Sequence, residues 1–195
     1  MITGITGGFG CGKSTVLALF QEYGATVFSA DRFCHEIYEE KNPMLLKKIS
    51  GYFGNDAVDS NGNINRKLIA QRVFSCPADM DFLNSVLAVP LKEKILSAIS
   101  DAANSDYLYA IEIPLLFEEH YETMLDKTIT VAAPDEARIR FLAQRGFDAA
   151  EMKKRDACQM PLSEKIKLAD YVIINGSDEE FLKEQFLNIW KDLTR

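Results

Sequence analysis

At 195 residues, 47% of them apolar, the chain can bury one sizeable core, and its formal charge of −7 excludes a broad nucleic-acid surface, whose phosphates would be repelled except at a local basic patch. Cys11, Cys34, Cys76 and Cys158 are scattered and two histidines are too few for the usual zinc spacings, which excludes a disulfide framework and an ordinary zinc site and points to a reducing cytosol. A first strand beginning almost at Met1 leaves no room for a leader, and no apolar run spans a bilayer; a cytoplasmic, monomeric protein with no membrane and no nucleic-acid partner is expected.

The apolar run at 1–6 reads as a buried strand, and Gly7-Gly8-Phe9-Gly10-Cys11-Gly12-Lys13-Ser14 follows it. This is the phosphate-binding pattern G-x-x-x-x-G-K-[ST] in its strand–loop–helix setting. Glycines let the backbone turn its N–H groups inward around a polyphosphate, so Gly8, Gly10, Cys11 and Gly12 are expected to line the cradle through their main chain. Lys13 supplies a mobile charge for the β- and γ-phosphates of ATP, Ser14 a hydroxyl for Mg²⁺, and Thr15 a reach to the α-phosphate, at a helix N-terminus that itself favours anions. The loop alone defines a nucleotide triphosphate site; kinases, GTPases and motor ATPases share it.

Val16, Leu17, Leu19 and Phe20 then give a helical apolar face closed at Tyr23-Gly24, and 25–30 reads as a strand ending at Asp31. A carboxylate there stands at the carboxyl end of a strand, where open α/β sheets present ligands. The region 32–105 reads as a helical insertion of the kind that carries an acceptor site: Phe33, Ile37 and Tyr38 share a face, Asn42-Pro43 breaks the pattern, 54–65 is a polar loop, and Asn65 caps a helix over 66–74. Pro77 and Pro90 mark boundaries, giving separate helices over 79–89 and 91–103. Strands at 107–113, 128–132 and 169–174 and helices at 135–143, 149–158 and 178–193 complete an α/β alternation, which implies a parallel sheet with helices on both faces.

These blocks together resemble the dephospho-coenzyme A kinase family. Thr6-Gly7-Gly8-Phe9-Gly10-Cys11-Gly12-Lys13-Ser14-Thr15 is similar to its T-G-G-I-G-S-G-K-S-T, Phe28-Ser29-Ala30-Asp31 to its I-D-A-D, and Gly62-Asn63-Ile64-Asn65-Arg66 with Val73-Phe74 to its D-G-x-L-x-R…V-F. Ile113-Pro114-Leu115-Leu116-Phe117-Glu118 is similar to I-P-L-L-F-E, and Ala169-Asp170-Tyr171-Val172-Ile173-Ile174-Asn175 to A-D-Y-V-I-x-N. The resemblance implies one kinase domain: core at 1–31, 106–134 and 169–195, acceptor-binding insertion at 32–105, helical lid at 135–160. It implies transfer of the ATP γ-phosphate to the ribose 3′-hydroxyl of dephospho-CoA, with Asp31 as the catalytic base.

By the same resemblance Arg140 and Arg145 on the lid neutralise charge on the transferring group, with Arg138 and Arg155 as further candidates; Arg66, Pro114, Leu115 and Leu116 contact the acceptor; Glu112 orders Mg²⁺ through water; and Asn175 and Gly176 meet the adenine of ATP. Simpler accounts stand beside these: a solvated helix cap for Asp31, a solvated basic face for the arginines, a structural ion pair for Arg66 or Glu112, and a turn-forming pair for Asn175-Gly176. Ser29 departs from the first acid of I-D-A-D, Val89-Pro90 from the family's His-Pro, and Gln144 from a common lid arginine. Cys11 stands where Ser is usual; either Lys13 and the loop N–H groups lower its pKa, so that oxidation or alkylation blocks ATP binding, or it is a small residue that fits. Other readings of the core are another small-molecule or nucleoside monophosphate kinase, and a nucleotide switch, although the guanine-reading [NT]-K-x-D element is missing.

Overall fold

The computed structural model describes residues 1–73, 75–103, 107–176 and 178–195; Phe74 and the expected boundary at 105/106 lie outside them. The described residues divide into two units, one of Met1–Ser29 with Ala98–Arg195, the other of Ala30–Ser97.

The first unit is a five-stranded, all-parallel sheet of order β2-β3-β1-β4-β5, with β1 Ile2–Gly7, β2 Thr26–Ser29, β3 Tyr109–Glu112, β4 Lys127–Ala132 and β5 Tyr171–Ile174. β1 lies at the centre and all six of its residues are buried, as expected of a strand covered on both faces. Alternation sorts the two faces. Ile5, Ile129, Val131 and Ile173 point toward α1 Lys13–Glu22 and α9 Glu179–Leu193, where Phe20, Phe186 and Trp190 pack edge to face at 5.0 and 5.9 Å from Phe20. Each fully buried Ile or Phe there contributes about 1.5–3 kcal/mol. The intervening Thr6, Thr128 and Thr130 face the other way, and the Thr130 hydroxyl donates to the Lys165 carbonyl of α8 Leu162–Leu168 at 3.0 Å. Helices thus cover both faces.

Most expected elements form, with ends shifted by one to three residues. α6 spans Asp135–Ala143 and α7 Ala149–Asp156, and Asp178 caps α9 by accepting from Glu180 and Phe181 N–H at 3.0 and 3.2 Å. The sequence reading had no counterpart for α8. Its buried residue is Lys165 rather than an aliphatic side chain, so hydrophobic periodicity gives no signal.

The second unit holds α2 Ala30–Glu39, α3 Pro43–Phe53, α4 Arg66–Val73 and most of α5 Pro77–Ala103 around Ile37, Ile49, Phe53, Ile69 and Leu87. Asn42 caps α3 by accepting from Met44 and Leu45 N–H, and Asn65 accepts from Leu68 N–H at 3.2 Å as expected. The loop ahead of α4 is more ordered than a plain polar loop: residues Asn55–Ala57 form a 3₁₀ turn, Val58 and Ile64 bridge, and Asp59 accepts from the N–H groups of Asn61 and Asn63 at 2.9 and 2.8 Å. Pro90 does not end a helix. It lies inside α5, which runs unbroken. A proline there costs about 3 kcal/mol, but Leu83, Leu87, Leu91, Ile95, Ala98 and Ala102 form one stripe across it, and burying several such side chains at about 1.5–3 kcal/mol each outweighs that cost.

Candidate active site

β1 releases the chain at Gly7, where φ is 147° and a side chain would strike the Val131 carbonyl of β4. The loop that follows turns through Gly10 and Gly12 at φ 79° and 86°, and Gly12 is the left-handed N-cap of α1. A Cβ on Gly12 would meet the Asn175 amide and one on Gly10 the Leu142 side chain, so both positions require glycine for space as well as conformation. Lys13 is only 9% exposed, and its ammonium donates to the Gly7 and Gly8 carbonyls at 3.2 and 3.1 Å, folding the side chain back over the loop. Ser14 and Thr15 stand exposed on the first turn of α1.

Three side chains from later in the chain brace this loop. Asn175, buried at the end of β5, donates from Nδ2 to the Cys11 carbonyl at 3.1 Å, while its N–H bonds Ala132 O at 2.7 Å. Its amide is thus engaged with the loop main chain. Arg138 of α6, 4% exposed, donates from Nε to the Phe9 carbonyl at 2.9 Å and from its other nitrogens to Asp135 and, bidentately, to Asp156. Burial works against its charge, but the Asp156 hydrogen bonds and the neighbouring carboxylates outweigh this and hold its pKa up. Arg155 stacks over the Phe9 ring at 4.0 Å and bonds Glu151 at 3.0 Å. Arg138 and Arg155, secondary candidates from sequence, are therefore the arginines that touch the loop. Arg138 shares the buried face of α6 with Leu142, four residues on.

Arg140 is exposed and donates to the Gly176 carbonyl at 3.3 Å, so α6 reaches the loop after β5; Arg145 lies 5.9 Å from the Phe147 ring centroid. Of the two accounts of Cys11, a lowered pKa and a small residue that fits, its burial favours the second. The thiol is fully buried, and that burial pushes its pKa up despite Arg138, Lys13 and the backbone amides pulling it down, so it is not an activated thiolate.

At the carboxyl edge of β3, Glu112 stands in register with Ile5 of β1 and Ser29 of β2. The adjoining 114–118 turn is tied from below: the Pro114 carbonyl accepts from the fully buried Lys165 ammonium at 2.6 Å and from the Thr6 hydroxyl at 3.1 Å, and Lys165 pairs with Glu118 at 2.9 Å. Pro114 and Leu115 are half-buried, whereas Leu116 is fully buried beneath Gly4 of β1. Leu116 is core, not a contact surface for an acceptor. Its place is set by the strand-end turn, which drives the second Leu of the Leu-Leu pair inward.

In the Ala30–Ser97 unit, Asp31 lies in the first turn of α2, two residues past β2, and is exposed. Asp31, Cys34 and Tyr38 follow one another at helical spacing, and Arg66, the first residue of α4, sits 5.6 Å over the Tyr38 ring. Cys34 lies between the two charges: burial first, then Asp31, push its thiol up to about 11, with Arg66 opposing. Asp31 and Arg66 are thus brought into one electrostatic cluster. Among the described residues no group of three or more His, Cys, Asp and Glu could hold a metal by itself. A Mg²⁺ bound largely through phosphate oxygens and water needs no such cage, and the exposed Ser14 hydroxyl fits that mode. A groove of about 410 Å³ lined by Tyr23, Leu108 and Trp190 lies at the amino ends of the strands, the opposite edge of the sheet from the phosphate loop.

A lysine-bearing phosphate loop on the central strand of a parallel 2-3-1-4-5 sheet, braced by an arginine-rich arm, defines a P-loop kinase. Residues 1–180 match the dephospho-CoA kinase family model. The dephospho-CoA kinase of Aquifex aeolicus is 35% identical over 98% of this chain and 97% of its own length. Among solved structures, TT1252 from Thermus thermophilus is similar at 34% identity and TM-score 0.77, covering 100% of this chain and 98% of its own. Dephospho-CoA kinase from Campylobacter jejuni is similar at 25% identity and TM-score 0.74, covering 98% and 96%. The chain belongs to the dephospho-CoA kinase family. No helix among the described residues is long and apolar enough to cross a membrane.

Proposed function

We propose that the chain transfers the γ-phosphate of ATP to the ribose 3′-hydroxyl of dephospho-CoA, giving coenzyme A and ADP, the last step of coenzyme A biosynthesis. The loop amides and Lys13 hold the β- and γ-phosphates, the ammonium exchanging its bonds to the Gly7 and Gly8 carbonyls for phosphate oxygens. The Ser14 hydroxyl and the Glu112 carboxylate would help to hold Mg²⁺, which would supply neutralisation of phosphate charge. Asp31 accepts the proton of the 3′-hydroxyl as that oxygen bonds the γ-phosphorus; the bond from the phosphorus to the β–γ bridging oxygen breaks, and ADP leaves.

In this reading Arg66, steadied over Tyr38, binds the acceptor's phosphates, and Arg140 and Arg145 spread charge from the transferring group while the arm excludes water. Gly176, bonded through its carbonyl to Arg140, borders the adenine. The observation that carries the reading is the family match over residues 1–180, which spans both the nucleotide loop and the unit with Asp31 and Arg66. A coupled ADP assay with dephospho-CoA, pantetheine derivatives and nucleoside monophosphates as competing acceptors tests it. Turnover that needs dephospho-CoA and yields a 3′-phosphate is expected. Hydrolysis indifferent to acceptor, or faster transfer to a nucleoside monophosphate, would overturn it.

A further inference from the structure

α6 and α7 make a two-helix arm whose first and last acids are clasped by one guanidinium. Arg138 bonds Asp135 at 3.1 Å, where α6 begins, and Asp156 at 2.6 and 2.8 Å, where α7 ends. Its remaining donor, Nε, reaches out of the arm to the Phe9 carbonyl at 2.9 Å, inside the nucleotide loop. The Phe9 ring is held by the same arm: it meets Phe147, from the α6–α7 connection, edge to face at 5.3 Å, and Arg155 of α7 covers it at 4.0 Å and Phe147 at 4.8 Å. Main chain and side chain of one loop residue are therefore both anchored on the arm. The planar guanidinium holds three partners, one on each nitrogen, with a single nitrogen gripped by both Asp156 oxygens, and at 4% exposure it cannot exchange these bonds for water at little cost.

We propose that Arg138 is a positioning residue for nucleotide binding: by fixing Phe9 to both ends of the arm it sets the shape of Gly8–Gly12, so that the arm and the phosphate cradle respond to ATP as one body. Any swing of the arm pulls on the Phe9 carbonyl, and any reshaping of the loop by phosphate pushes on α6 and α7. The thiol of Cys11 reports on this shape. It is fully buried in the core cluster, and its own N–H closes the turn that contains Phe9 by donating to the Gly8 carbonyl at 3.3 Å.

The test compares Arg138→Met, Arg138→Lys, Asp156→Asn and Phe9→Leu in the full chain. It reads melting temperature, KM for ATP and for acceptor, kcat, and the alkylation rate of Cys11 measured on its own peptide with and without ATP. Arg138→Met is expected to melt within a few degrees of the parent, raise KM for ATP about tenfold with kcat within about threefold, and speed Cys11 alkylation. The lysine variant recovers part of the loss, because it restores the charge but not the fork. An Arg138→Met protein that melts normally with unchanged ATP affinity and Cys11 labelling overturns the proposal. So does one in which both KM values rise and kcat falls in step with a lowered melting temperature, which marks a purely structural arginine. Should Arg138→Met not fold, Asp156→Asn and Phe9→Leu decide: faster Cys11 labelling, slowed again by ATP, supports the coupling, and parental labelling in both sinks it. Labelling and ATP binding need no acceptor, so this outcome is separate from that of the acceptor assay.

Discussion

On the nucleotide side Lys13 is 9% exposed and bonded to two loop carbonyls, Arg138 is 4% exposed with three partners, and Asn175 is buried against the Cys11 carbonyl. On the side proposed to take the acceptor, Asp31 and Arg66 are both exposed, and the half-buried Cys34 feels both charges. The cradle for polyphosphate is built into the fold in advance, so that the main reorganisation when ATP arrives is the Lys13 ammonium exchanging loop carbonyls for phosphate oxygens. Asp31 and Arg66, the residues proposed to meet the acceptor, are charges on helix first turns, held by spacing along α2 and by one aromatic face. Their contribution comes from where they stand rather than from a rigid network. Loss of a nucleotide-side residue should therefore disturb its neighbours, whereas loss of an acceptor-side residue should remove one step and leave the fold intact.

The sharpest break of that contrast is Asp31→Asn. The variant keeps shape and exposure but removes the proton acceptor, and kcat is expected to fall by about 10²–10⁴, with melting temperature and ATP dissociation constant at parental values. Near-normal turnover removes Asp31 from the mechanism. Next is Lys13→Met, expected to cost about 10²–10³ in kcat and also to weaken ATP binding, because the ammonium serves ground state and transition state alike. A third is Arg66→Ala, expected to raise KM for dephospho-CoA by about 10- to 100-fold, as for a lost charge-assisted hydrogen bond of about 1.5–3 kcal/mol, with KM for ATP unchanged. Equal rises in both KM values would place Arg66 in the architecture of its unit instead.

The same contrast explains what could be read from sequence. The phosphate loop is legible because its glycines answer local demands, and Gly10 and Gly12 do adopt the positive φ that the motif implies. The strands are legible because strand-forming Ile, Val and Thr recur in β1 and β4, which are buried as central positions require. The braces are not. Arg138, Lys165 and Asn175 are polar side chains buried against main-chain carbonyls far away in sequence, and nothing in a window around a charged residue distinguishes a buried brace from a solvated face. Leu116 was read as a contact because its motif borders the site, and only the turn's direction reveals it as core. Pro90 misled in the opposite sense, since a local breaker was overruled by a stripe of burial longer than the break.

The smallest effect concerns the frame beneath the loop. Asp170, just before β5, accepts from the Thr128 N–H and hydroxyl of β4, each at 2.8 Å, and lies 3.6 Å from Lys127. Burial raises its pKa, but the Thr128 hydrogen bonds and the Lys127 charge outweigh it, leaving the carboxyl below its ordinary range. A carboxyl whose pKa is lowered by folding adds stability that is fully present above the unfolded value and disappears as pH falls through the folded value. The side chain is 39% exposed, so solvent screening holds the contribution to about 1 kcal/mol or less. Asp170→Asn is accordingly expected to melt slightly below the parent at neutral pH, the gap closing as pH falls through the acid range and Asp170 protonates in the parent. A gap that stays constant with pH would mean that the Asp170 contacts act through shape alone. The strand pair that carries Asn175 to Cys11 would then owe nothing to charge, and the preorganisation of the nucleotide side would rest on packing and neutral hydrogen bonds up to the loop itself.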